Sequence, residues 1–206
     1  MVQKSESGAK TRGRPKAYDR PSALRSMREL FWDQGFAATS LDELSGATAM
    51  NRPSLYNAFG DKAEAFKAVI DDYIDDVRRR YRPAFVAPVP LREALHRIYE
   101  TAIEIYSNED GPGRGCFMVG AALTDSLRDP EVAAKLRDAF HEMDRAFLRR
   151  LQIAQARGDL SPNANLEALA MVASATHSAL SVRMRSGESP DDIRRFFNHA
   201  IGVICG

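Results

Sequence analysis

Few side chains in this sequence stand at spacings that support catalysis. The four histidines, His96, His141, His177 and His199, are scattered, and no HExxH, Walker loop, GxSxG or paired dinucleotide glycines occur. Asp71, Asp72, Asp75 and Asp76 set carboxylates four apart on a helix. That spacing could hold a divalent cation, but with no histidine or further carboxylate group beside it the run reads as a solvated face. No catalytic residue, metal site or cofactor is assigned, and no enzyme is expected. Cys116 has the most distinctive chemistry. It follows Gly113-Arg114-Gly115 at the expected first turn of a helix, where the helix N-terminus and a nearby arginine both favour thiolate. A redox-sensing thiol and a small buried apolar residue are the two readings. Cys205 adds neither a disulfide framework nor metal spacing.

A second kind of chemistry sits in "NRPSLYNAFGDK", residues 51–62. Leu55 and Phe59 are four apart and share a helical face, and Pro53 fits a first turn, where a missing N–H costs nothing. The other face presents Arg52, Ser54, Tyr56 and Asn57, with Lys62 just beyond. Arginine can make two hydrogen bonds to guanine, asparagine can do so to adenine, and serine adapts to either. Tyrosine and lysine suit phosphate oxygens, which give affinity and register.

The preceding elements must position that helix. Leu24, Met27 and Phe31 mark a first helix from Pro21 to just before Gly35. Ser40 with Glu43 forms a capping box opening a short second helix that turns Leu41 and Leu44 inward. Asp61 with Glu64 opens a fourth helix to about Arg82, and Pro83, Pro88 and Pro90 mark a joint. Further helices follow to the C-terminus, with no sustained period-two alternation. The expected fold is all-α. A flexible basic arm covers residues 1–17, a three-helix helix-turn-helix unit covers 18–65, and a helical effector-binding and dimerisation domain covers 66–206.

The totals agree with a globular protein. The 206 residues are 44% hydrophobic and 28% charged, with a net charge of +1. Basic charge concentrates at the front, where Lys4, Lys10, Arg12, Arg14 and Lys16 face Glu6 alone. In "TRGRPKAY", Arg12, Arg14 and Lys16 could enter a narrow minor groove, or the segment is a basic tail that adds non-specific attraction. No secretory h-region and no run of eighteen apolar residues occurs, which points to a soluble, cytoplasmic protein.

The stretch "GFAATSLDELSGATAMNRPSLYNAFGDKAEAFKAVI" closely resembles the N-terminal domain of TetR-type (tetracycline-repressor-like) transcriptional regulators. Gly35-Phe36, Thr39-Ser40, Ser54-Leu55-Tyr56, Phe59 and Lys62 stand at that family's spacings. The resemblance implies a homodimeric, ligand-responsive regulator of double-stranded DNA, more often a repressor than an activator. It implies that Thr39 and Ser40 hold phosphate, that Tyr56 and Lys62 grip the backbone, and that Arg52, Ser54 and Asn57 read bases. Ala49 stands where the family commonly has glycine, which would cost about 1 kcal/mol if the turn needs positive φ. Gly46 within the second helix costs about as much again.

The family also dimerises through its last two helices. Leu169, Val172, Ala173, Thr176 and Leu180 form one stripe for that role, and Phe196, Phe197, Ala200, Ile201 and Ile204 form another. Both sets could equally be intrachain core. Tyr99, Ile103, Tyr106, Phe117, Met118, Met143, Phe147 and Met171 are candidates to line an effector cavity, or are plain core. The effector class they suggest is hydrophobic or aromatic rather than polyanionic. A helical scaffold or small-molecule-binding protein without DNA binding is the alternative.

Overall fold

The computed structural model describes residues 18–107 and 113–206, so Arg12, Arg14 and Lys16 lie outside the described residues. Among those described the chain is helical with no strand. Helices α1 (Arg20–Ala38), α2 (Leu41–Thr48) and α3 (Arg52–Phe59) form a small bundle on the front of α4 (Lys62–Val86).

Side-chain caps define each start. Asp19 accepts from the Ser22 N–H at 3.2 Å. In α2 the Ser40 hydroxyl accepts from the Glu43 N–H at 3.2 Å, while Glu43 accepts from the Ser40 N–H at 2.7 Å. Asn51 accepts from Ser54 N–H at 2.9 Å to start α3, and Asp61 from Glu64 N–H at 2.9 Å to start α4. The turn between α2 and α3 places Ala49 at φ 52°, the one non-glycine left-handed residue among those described. That conformation costs alanine about 1 kcal/mol, and it is what swings α3 away from the α2 axis. Gly35, at φ 78° and ψ 167°, breaks α1, and one more helical turn continues beyond it to Ala38.

Leu24, Met27, Phe31, Leu44, Leu55 and Phe59 close the front core together with Phe66, Val69 and Ile70 of α4. The same core reaches across to Phe117, Met118, Val132 and Leu136, so the front bundle packs directly on the rear of the molecule. The joint expected at Pro83 lies three residues later. Helix α4 continues through Pro83 to Val86, because Tyr81 and Ala84 keep its buried stripe going past the proline. Burial there offsets the roughly 3 kcal/mol of a helical proline, which falls in the final turn where few backbone hydrogen bonds remain to lose.

The rear consists of α5 (Leu91–Tyr106), a π-helical turn (Met118–Ala122) running into α6 (Leu123–Ser126), then α7 (Pro130–Ala156), α8 (Leu166–Arg185) and α9 (Pro190–Cys205). In the π turn the Leu123 N–H donates to the Met118 carbonyl, five residues back. Ion pairs tie α4 to α7 at a constant sequence offset of 64: Lys67 to Glu131 at 2.8 Å, Asp71 to Lys135 at 2.7 Å, and Arg78 to Glu142 at 2.9 Å. A constant offset means that the two helices run in the same direction. Among the described residues no helix is long and apolar enough to cross a membrane.

Candidate nucleic-acid interface and internal cavity

Leu55 and Phe59 are buried and hold α3 to the bundle, while Ser54, Tyr56 and Asn57 face outward, Tyr56 with 60% of its surface exposed. Arg52 stands on the same exposed face, but its guanidinium is forked onto Asp42 of α2, with Nε 2.7 Å from Oδ1. Both side chains are largely exposed, so the pair is weak. Ser40 is exposed at the start of α2, and its hydroxyl oxygen accepts from Glu43.

Two residues assigned to phosphate are placed elsewhere. Thr39 is only 1% exposed, and its hydroxyl donates to the Gly35 carbonyl at 2.8 Å, closing the end of α1. The Lys62 ammonium donates to the Phe36 and Thr39 carbonyls, each at 2.9 Å, and lies 4.4 Å from the centre of the Phe36 ring. Lys62 therefore neutralises the carbonyl end of α1 beyond the Gly35 break, a favourable place for a cation.

Behind this bundle lies a cavity of about 560 Å³ between α4 and α7. Of the residues proposed for it, Tyr106, Met118 and Met143 line it, as does Cys116. Tyr99, Ile103, Phe117 and Phe147 are buried in the cores instead, and Met171 is 71% exposed on the outside of α8. Helical spacing supplies both core and lining, and only the gap between two particular helices separates them.

Cys116 is half-buried just ahead of the π turn. The Tyr73 hydroxyl lies 3.4 Å from its Sγ, and its backbone N–H donates to the Ser181 hydroxyl at 2.7 Å. The Arg114 guanidinium extends to Glu29 and over the Trp32 ring, centred 5.4 Å away, so the arginine that precedes the thiol in sequence is engaged with α1. Deeper in the wall, His177 Nε2 meets the Tyr81 hydroxyl at 2.7 Å and the Tyr106 hydroxyl at 3.2 Å. Burial lowers the His177 pKa to about 4 and raises the phenols of Tyr73, Tyr81 and Tyr106 above their usual range. The imidazole and the three phenols are consequently neutral at pH 7.

Residues 24–69 match the family described as bacterial regulatory proteins, tetR family, and residues 92–200 match the tetracyclin repressor-like C-terminal domain. The chain belongs to the TetR family. The HTH-type transcriptional repressor ComR of Escherichia coli is 33% identical over 181 residues, covering 87% of this chain and 86% of ComR. The E. coli repressor BdcR is 31% identical over 58% of this chain and 59% of its own length. Among solved structures, a cysteine mutant of the TetR-family regulator CifR, complexed with a 26-base-pair operator, superposes with a TM-score of 0.82. It is 28% identical and covers 92% of this chain and 98% of CifR.

As a TetR-family chain, the molecule has a notable outer face on its last two helices. Val172 of the expected dimer set is exposed, with Leu169, Phe196 and Ala200 partly so. Ala173, Thr176, Leu180, Phe197, Ile201 and Ile204 point inward and pack within the chain. Beside Val172, the exposed large apolar side chains of these helices are Met171 and Val182 of α8 and Val203 of α9. Alanines stand on both sides of α8, so its sequence carries little record of which side faces out.

The sequence contains signals for two further cavity residues, Arg150 and His177. Arg150 falls in the buried stripe formed by Phe147, Leu151 and Ala154, and His177 in that of Ala173, Leu180 and Met184. A charged or titratable residue at a core position is the informative exception.

Proposed function

We propose that this TetR-family chain is a homodimeric transcriptional repressor, with no enzymatic role, that leaves its operator when a small molecule fills the cavity between α4 and α7. The observation that carries the reading is α3 itself, which has two buried apolar anchors and an uninterrupted outward face of Ser54, Tyr56 and Asn57. Such a helix is suited to the major groove, with Asn57, Ser54 and a released Arg52 reading bases and Tyr56 and Ser40 on phosphates. The arm residues Arg12, Arg14 and Lys16 would add minor-groove or non-specific attraction.

Release follows from the position of α4. Tyr73, Val77, Tyr81 and Phe85 give it one wall of the cavity, and Phe66, Val69 and Ile70 of the same helix hold the front bundle. A ligand that moves this wall changes the spacing of the two α3 helices in a dimer, and operator affinity falls. Cys116 lines the same cavity, so an electrophilic ligand or oxidant admitted there would meet its sulfur.

The test begins with selection of bound sequences from a pool of random duplexes, followed by gel-shift titration at several salt concentrations. Nanomolar binding to a pseudo-palindromic site, weakening steeply with salt, is expected. Weak binding without sequence preference would leave the scaffold reading standing.

A further inference from the structure

The cavity wall contains one group that an apolar ligand would leave unsatisfied. Arg150 is 2% exposed and lines the cavity. Its Nη2 donates to the Val89 carbonyl at 2.6 Å, while Nε and Nη1, both buried, meet no acceptor among the described residues. The other cavity cation with a resolved partner differs. Arg78 is forked onto Glu142, with contacts of 2.9 and 2.6 Å. The nearby carboxylate of Asp159 is occupied by the Leu91 N–H at 3.0 Å, and Arg157 adds further positive charge. Burial lowers the Arg150 pKa, with Arg157 adding to the effect and Asp159 only partly opposing it. Holding an incompletely satisfied guanidinium in this way is costly unless something on the cavity side completes it.

The surroundings indicate what that would be. Ile74, Val77, Leu136 and Met143 line the body of the cavity, and Val86 and Ile153, both exposed, line it together with Arg150. We infer that the effector is an apolar carboxylic acid, its hydrocarbon body held between α4 and α7 and its carboxylate accepting hydrogen bonds from the Arg150 N–H groups that Val89 does not use. This deepens the proposed function, resting on the cavity being the effector site, and it names the chemical class of the effector. A carboxylate needs only one cation, and among the other lining groups Arg78 is already forked onto Glu142 while the buried phenols and imidazole are neutral.

The experiment is calorimetric titration of the full chain without DNA, using dodecanoate, 4-phenylbutyrate and 1-naphthaleneacetate, each paired with its neutral methyl ester. At least one acid is expected to bind on the order of 10- to 100-fold more tightly than its ester, the range for a charged hydrogen bond. Arg150→Gln is expected to remove that preference while leaving ester affinity within about 2-fold. If Arg150→Gln does not fold, Arg150→Lys, which keeps the charge but loses the planar fork, should reduce the preference. Esters that bind as tightly as acids, a failure of every acid to bind, or a preference that survives both substitutions would each overturn the inference. Release of selected operator DNA, followed by fluorescence anisotropy, separates the two claims. Acids that bind in the calorimeter but leave the DNA complex intact would sink the release mechanism and keep the anion site. Esters that release DNA as well as the acids do would have the reverse effect.

Discussion

Asn57 and Tyr56 are neighbours on the exposed side of α3, yet their chemistry separates what each loss should do. Asn57→Ala removes a potential bidentate contact to a base, so it is expected to cost about 1–3 kcal/mol on the selected operator and to relax preference at one position. Tyr56→Phe removes a single phosphate donor, so binding should weaken by about 1 kcal/mol alike on cognate and scrambled duplexes. Anisotropy titrations against both duplexes distinguish the two patterns. These outward residues were legible because Leu55 and Phe59 fix the phase of α3. The engagement of Lys62 and Thr39 was not, because it depends on the Gly35 break, which leaves carbonyls at the end of α1 that need donors. Ala49 is the converse case, a residue whose type argues against the conformation that its place in the turn imposes. Gly46→Ala, exposed and with nothing within 4 Å of its new methyl, should stabilise by about 1 kcal/mol in urea unfolding. Ala49→Gly should gain less, because relief of strain is partly offset by a freer unfolded chain.

Helix starts were legible element by element, since Ser40, Asn51, Asp61 and the first-turn prolines act within four residues of themselves. Pro83 and the π turn were not, since each is held by packing from distant helices. The segment before that turn shows how close such packing is. Gly115 has φ 69°, and a Cβ there would stand 2.5 Å from the Ser181 carbonyl oxygen of α8. Gly115→Ala is therefore expected to destabilise by several kcal/mol or to displace the segment, read by thermal unfolding and by the reactivity of the Cys116 thiol. His177, on α8 about one turn before Ser181, gives the rear core a pH dependence. Its folded pKa near 4 lies below the unfolded value of 6.5, so the native state resists a proton that the unfolded chain accepts. Stability is fully present above about pH 6.5 and falls as pH drops toward 4, by about 3 kcal/mol in total. Urea unfolding across that window should show this slope in the native sequence and lose it in His177→Gln.

At the level of the whole molecule, α4 links a front bundle to a rear domain, and both cores claim part of it. The ion-pair rungs between α4 and α7 are exposed on at least one side, so each contributes little and none fastens the two helices rigidly. Arg78→Ala is accordingly expected to change stability by less than about 1 kcal/mol. Self-association through the outward stripe on α8 and α9, as proposed for the dimer, predicts that Val182→Asp yields a monomer in sedimentation velocity. Operator affinity should then fall by on the order of 100-fold or more, because two half-sites are no longer engaged together. The all-α architecture could be read from periodicity, whereas the sidedness of α8 could not, because small residues line both of its faces.

The turn that carries Cys116 rests on α8 through Gly115 and the Ser181 hydroxyl, and α8 turns Met171, Val172 and Val182 to the outside. Two chains joined along that surface would have their cavities bordered by the same helical seam. Occupancy of the first would alter the second, so effector uptake by the dimer should be sigmoidal, with a Hill coefficient above one that returns to unity in the Val182→Asp monomer.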